Sequence, residues 1–155
     1  MSKSLAEGDK APDFSLSADG GRRIGLKDFK GQTLVLYFYP KDDTSGCTRE
    51  AQDFEAAAKH FHKLGAAVVG ISKDPVKSHD KFKEKYGLTF PLASDDDGVA
   101  ERFGVWIEKS MYGRKYMGID RSTFLIDGAG RIVRIWRKVK VPGHVDEVLD
   151  AVKAL

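Results

Sequence analysis

Hydrophobic positions along this chain follow two rhythms. "TLVLYFY" (33–39) and "AAVVGIS" (66–72) are almost continuously apolar, as expected of strands covered on both faces. Between them Cys47, Ala51, Phe54, Ala58 and Phe61 recur at steps of four and three, which is one face of a helix. Arg49, Glu50, Asp53, Lys59 and Lys63 fall on its other faces, and Gly65 ends it. Strand, helix and strand make a βαβ unit with a right-handed crossover, so the two strands are predicted to be parallel.

The flanking pattern completes the picture. "APDFSLSADGGRRIGL" alternates around an Asp-Gly turn signal and predicts an N-terminal β-hairpin. Asp74 and Pro75 suit the N-cap and first position of a helix whose buried side carries Val76, Phe82 and Tyr86 and which Gly87 closes. A short strand "FPLAS" follows. Asp95 to Gly98 lacks the alternating ligands and closing Glu of a calcium loop, so it reads as a turn capping the "GVAERFG" helix. "STFLID" and "IVRIWRK", joined by Asp127-Gly128-Ala129-Gly130, predict an antiparallel hairpin, and Pro142 opens a last helix with Val145, Val148, Leu149 and Val152 on one face. The order βαβ, an inserted segment, then ββα indicates an α/β, thioredoxin-like fold: a central mixed sheet flanked by helices, as one domain over residues 1–155.

Composition agrees with one domain: 155 residues, 41% hydrophobic and 32% charged. Twenty-six Lys and Arg against 23 Asp and Glu leave +3, with the signs interleaved, which points to neither nucleic acid nor membrane. "RIVRIWRKVKV" places Arg131, Arg134, Arg137, Lys138 and Lys140 near Trp136, a combination able to track phosphates. Alternation of Arg134 and Trp136 with Val133 and Ile135 marks a solvated strand face more simply, so no nucleic-acid partner is expected. "MSKSLAEGDKAPDF" lacks the apolar run of a secretory signal, and no segment approaches the roughly 20 apolar residues of a membrane span. The expectation is a cytoplasmic protein. A single cysteine, Cys47, excludes an internal disulfide, a CxxC pair and a cysteine-based zinc site. His60, His62, His79 and His144 show no metal spacing and read as surface positions on helices, so no metal is expected.

Free cysteine is usually a buried, inert hydrophobe. Cys47, however, falls in the first turn of its predicted helix, where unpaired N–H groups and the helix dipole favour a thiolate. The lead-in "PKDDTSG" follows the C-terminal end of a central strand, a common place for sites in α/β sheets. There Pro40 stiffens the loop and Gly46 permits close approach of another group. Thr44 either caps the helix by accepting from the Cys47 N–H, or contacts the sulfur or an incoming oxygen atom. Asp42, Asp43 and Glu50 would oppose a thiolate if close in space, so a cation is required. Arg49 points away along the helix. Arg121, at the entry to "STFLID", is the better candidate, although spacing alone favours a salt bridge to Asp120 or another acid.

"YPKDDTSGCT" resembles the Pro-x-x-x-Thr-x-x-Cys signature of peroxiredoxins, and "MYGRKYMGIDRSTFLID" is similar to a segment of the bacterioferritin comigratory, or peroxiredoxin Q, subgroup. The similarity runs from "GDKAPDFSL" through the last helix. It implies that Cys47 is a peroxidatic cysteine that attacks a hydroperoxide and becomes a sulfenic acid. Thr44 would bond peroxide and sulfur, Pro40 would shield the pocket, and Arg121 would stabilise thiolate and transition state. No cofactor is implied. Many relatives carry a resolving cysteine five residues on, where this chain has Gln52, and others carry one on the next helix, "PVKSHDKFKEKYG", which has none. A one-cysteine cycle follows, with an external thiol such as thioredoxin, glutaredoxin or glutathione as reductant and a monomer as the expected state. The competing reading is a redox-sensing or non-catalytic interaction module on the same scaffold.

Overall fold

The computed structural model describes residues 5–155, so the first four residues of the segment inspected for a targeting signal lie outside it. Seven strands form one mixed sheet in the order β2-β1-β5-β4-β3-β8-β9. The βαβ unit consists of β3 (Thr33–Phe38), helices α1 (Ser45–Ala56) and α2 (Ala58–Lys63), and β4 (Ala66–Ser72). β3 and β4 are parallel, with Tyr37 opposite Gly70, and β5 (Leu92–Ser94) joins β4 in parallel. The N-terminal hairpin, β1 (Ser15–Ala18) and β2 (Arg23–Gly25), adds antiparallel to β5. On the other side β8 (Ser122–Ile126) runs antiparallel to β3, and β9 (Ile132–Trp136) to β8.

The continuous apolar run of β3 has a direct explanation. Leu34, Leu36 and Phe38 enter one core cluster with Val99 and Phe103, whereas Val35, Tyr37 and Tyr39 enter a second with Phe54, Phe61, Phe82 and Val148. Helices therefore cover both faces: α4 (Val99–Arg102) on the first, and α1, α2, α3 (Val76–Tyr86) and α5 (His144–Lys153) on the second. Among the described residues no helix is long and apolar enough to cross a membrane.

Several local expectations are corrected. The helix predicted up to Gly65 breaks at Ala57 into α1 and α2. Pro75, not Asp74, occupies the N-cap of α3, because the Asp74 carboxylate instead accepts from the Asp42 N–H and the Ser72 hydroxyl. The last helix begins at His144 after Gly143, which takes the left-handed conformation. The inserted segment is a separate hairpin, β6 (Trp106–Met111) and β7 (Arg114–Ile119), whose tip carries Tyr112 in solvent. His79 and His144 are buried rather than superficial. His79 stands three residues before Phe82 on the inner face of α3, and His144 Nε2 meets the Thr123 hydroxyl at 2.8 Å.

The basic strand face is engaged within the chain. Arg134 stacks over Trp136 and lies 3.5 Å from Glu147, and Arg137 donates to the Leu5 and Gly104 carbonyls.

Gly70 marks the tightest point beneath α1. A Cβ there would meet Tyr37 Cζ at 2.9 Å and Leu92 Cδ2 at 2.8 Å, and the Tyr37 ring is stacked on Phe54 at 4.6 Å. Gly70→Ala must displace that ring and is expected to cost about 1–3 kcal/mol, read as a lower urea midpoint at unchanged slope.

Candidate active site

Beyond β3 the chain keeps sheet pairing for one more residue, through Tyr39 N–H to the Ile71 carbonyl at 3.0 Å. It then turns through Pro40, Lys41, Asp42 and Asp43. Asp43 takes a positive φ of 59°, a conformation that its short polar side chain tolerates better than most. Thr44 is extended at the N-cap of α1, and its carbonyl accepts the first helical hydrogen bond, from Thr48 N–H at 2.8 Å. Cys47 is thereby set in the first helical turn, at the C-terminal end of a central strand, with only 1% of its surface exposed.

Arg121, in the junction between β7 and β8, reaches the sulfur. Its Nη2 donates to Cys47 Sγ at 3.1 Å while Nη1 donates to Glu50 Oε1 at 2.6 Å. Gly46 makes the approach possible, since a Cβ there would stand 3.3 Å from Nη2. Both sequence readings of Arg121 are therefore realised at once: it is salt-bridged to an acid and it faces the cysteine. The acid is Glu50 rather than Asp120.

Glu50 is the main residue that sequence reasoning misplaced. It was put on an outer face of the helix, but it is completely buried. Its place three residues after Cys47 is the available signal, because such positions share a face. Desolvation pushes its carboxyl up to about 7, against the attraction of Arg121. For Arg121 burial works against the charge, but Glu50 and Cys47 outweigh it and hold the guanidinium above its ordinary range. Glu50 Oε2 has no partner among the described residues, which suits a carboxyl that keeps its proton up to neutral pH. Lys109 on β6 is a second unexpected neighbour. Its burial lowers its pKa, and its charge interacts with Asp120, Arg121 and Cys47.

The remaining predicted residues are placed as follows. Thr44 is exposed, and its hydroxyl donates to the Lys41 carbonyl at 2.9 Å. This bond closes the turn, so the hydroxyl neither caps the Cys47 N–H nor touches the sulfur. Pro40 is half-buried in the same loop. Arg49 is exposed and lines a cleft with Asp53, His60 and Asp146, away from the thiol. The acids expected to oppose a thiolate are compensated: Asp43 bonds Lys85 and Tyr86 at 2.8 and 2.7 Å, and Asp42 bonds Tyr39, Ser78 and His79. Asp42, Asp74 and His79 hold ligand atoms within 4.8 Å of one another. These atoms are occupied by protein hydrogen bonds, so the cluster is a hydrogen-bonded lock rather than an open metal centre.

A buried thiol in a first helical turn, faced by an arginine at the edge of a thioredoxin-like sheet, defines a thiol-based oxidoreductase. The AhpC/TSA family profile matches residues 7–135. The chain is 52% identical over 147 residues to peroxiredoxin Bcp of Bacillus subtilis, covering 94% of each chain. It is 52% identical over 143 residues to peroxiredoxin Bcp of Xanthomonas campestris, covering 92% of this chain and 89% of that one. A structure of the Xanthomonas campestris bacterioferritin comigratory protein, described for its alkyl peroxide reduction activity, superposes with a TM-score of 0.87 at 51% identity, covering 91% and 90% of the two chains. The chain belongs to the AhpC/TSA family as a peroxiredoxin of the Bcp, or peroxiredoxin Q, kind, and is a thiol-dependent peroxidase.

Glu50 gives stability a defined pH dependence. Folded Glu50 holds its proton to about pH 7, whereas an ordinary glutamate releases it near 4.5. The folded state therefore binds the extra proton between those values, and this contribution to stability falls as pH rises through the window. His144, which burial lowers to about 4, slopes the other way but does so in parent and variant alike. Glu50→Gln is expected to gain stability relative to the parent as pH rises from 4.5 to 7. Urea midpoints across the range test this, and a constant difference refutes it.

Proposed function

We propose that Cys47, Arg121, Thr44 and Pro40 carry the peroxidase reaction in a one-cysteine cycle. The observation that supports this most directly is the 3.1 Å contact of Arg121 Nη2 with a Cys47 sulfur buried in the first turn of α1. The Cys47 thiolate attacks the terminal oxygen of the hydroperoxide and the O–O bond breaks. The departing oxygen leaves as alcohol or water after taking up a proton, and Cys47 is left as a sulfenic acid. Negative charge grows on the departing oxygen as the bond breaks, and donors fixed beforehand lower that barrier. Arg121 supplies such donors through its remaining N–H groups. The Thr44 hydroxyl, whose hydrogen goes to the Lys41 carbonyl, accepts from the incoming hydroperoxide, and Pro40 shields the reacting oxygen from water. With Glu50 in its neutral form, the charge of Arg121 is left to the sulfur and substrate.

Regeneration requires two thiols from outside the chain. The first displaces water from the sulfenic acid to form a mixed disulfide, and the second releases Cys47 and a disulfide of the reductant. Thioredoxin, glutaredoxin and glutathione each satisfy this chemistry, and assays with the three systems run separately identify the one used. We take the protein to act as a monomer in the cytoplasm, where thiols stay reduced, as a lone cysteine-based cycle demands.

Cys47→Ser is expected to abolish peroxide reduction. Arg121→Lys, which keeps the charge but loses the fork, should lower the second-order rate constant with hydrogen peroxide by about a hundredfold. Stopped-flow oxidation measures both, and a Cys47→Ser variant that still turns over sinks the assignment. Mass spectrometry after one equivalent of peroxide should show a sulfenic acid or an intermolecular or mixed disulfide, consistent with the single cysteine.

A further inference from the structure

A buried polar cluster in the loop before α1 takes no part in the chemistry above. Asp42 sits in the loop before α1 yet is only 7% exposed. Its carboxylate accepts from the Tyr39 hydroxyl at 2.5 Å, the Ser78 hydroxyl at 2.8 Å and His79 Nδ1 at 2.7 Å. Its N–H donates to Asp74 Oδ2 at 2.8 Å, an oxygen that also accepts from the Ser72 hydroxyl at 2.7 Å. His79 is completely buried, and its Nε2 lies 3.1 Å from the Ala93 carbonyl. Both ring nitrogens thus have an oxygen partner within the protein.

Tyr39, just after β3, bonds Asp42 directly, while Ser72 at the end of β4 is linked to it through Asp74 and Ala93 in β5 through His79. Ser78 and His79 bring in the first turns of α3. The next residue, Asp43, with its left-handed backbone, is clamped to the far end of the same helix by Lys85 and Tyr86. A cluster of this kind is a poor source of net stability, because apolar replacements of similar volume are often neutral or better. What a fully satisfied buried network supplies is one geometry. Here that geometry is the path of the loop delivering Thr44 and Cys47.

We propose that Asp42 and His79 are positioning residues for Cys47. Their pair holds residues 40–44 against the ends of the three strands and so keeps the sulfur beneath the loop and on the Arg121 fork. The proposal rests on the reading of Cys47 as the peroxide-reducing nucleophile.

The test uses the full chain with Asp42→Asn, His79→Gln and the double substitution, and Lys63→Ala, an exposed position on α2 away from the loop, as a control. Each single variant is expected to lose about tenfold in the second-order rate constant for hydrogen peroxide, and its pH–rate profile to move to higher pH as the sulfur loses contact with Arg121. The double variant should be no slower than the slower single, because either change removes the same pair. Lys63→Ala should stay near the parent. A purely structural role would lower the melting temperature while leaving the pH–rate profile in place. Rates within twofold of the parent, an unmoved profile, or a double variant whose loss is the product of the singles overturns the proposal. If His79→Gln does not fold, Ser78→Ala removes one donor to Asp42 more gently; a loss of about threefold supports the proposal and an unchanged rate overturns it. A parent that reacts no faster than free cysteine overturns the reading of Cys47 itself, and the positioning proposal with it.

Discussion

One guanidinium serves two acidic groups carried three residues apart on the same helix, and the arrangement of the site follows from that demand. Arg121 can donate to Cys47 and Glu50 together only because its planar fork spans successive positions of one helix face. The fork must arrive over Gly46, where a side chain would crowd it, and it must come from the β7–β8 junction, which antiparallel pairing of β8 with β3 brings next to the start of α1. The sheet order and the missing Cβ at position 46 are thus conditions of the same contact.

The burial of Glu50 decides how that shared charge is divided. Two ionised acids competing for one cation in a poorly solvated place would weaken its hold on each. Desolvation resolves the competition by pushing Glu50 up to about 7, so the carboxyl can orient the guanidinium as a hydrogen-bond acceptor without consuming its charge. Lys109 adds positive charge from the β6–β7 hairpin. The acids nearest in sequence, Asp42 and Asp43, are tied to His79 and to Lys85, and do not confront the sulfur unpaired.

The legible and illegible parts of the sequence divide along physical lines. The parallel β3–β4 pair, both outer hairpins of the sheet and the helix bearing Cys47 were visible, because burial on two faces and helical periodicity write themselves into composition. Cys47, Thr44 and Pro40 were visible as a local spacing. Glu50 was missed because a charged residue is read as outward-facing until its partner is known, and its partner lies 71 positions away. His79 and His144 were misread for the same reason. Their burial depends on acceptors and donors at Asp42, Ala93 and Thr123 that no local pattern reveals. The β6–β7 hairpin escaped because it pairs only with itself and leaves Met111, Tyr112, Tyr116 and Met117 exposed, so it lacks the alternation of a half-buried strand.

Lacking a second cysteine changes what the loop around Cys47 has to do. A cycle closed by an internal disulfide needs the peroxidatic sulfur to travel to its partner, whereas in the one-cysteine cycle proposed above every later step is taken by a thiol that comes to the sulfur. Such a chain gains by holding its nucleophile in one place. The loop is anchored to match: its carboxylates reach both ends of α3, its backbone amide is bonded to Asp74, and Asp42 is tied to β3 through Tyr39 and to β5 through His79. The same anchoring restricts access, since a sulfur with 1% exposure admits a peroxide more readily than a bulky thiol. Under the proposed cycle, rigidity that speeds oxidation would slow reduction, and a sulfenic acid that waits is open to a second peroxide and to irreversible sulfinic acid formation.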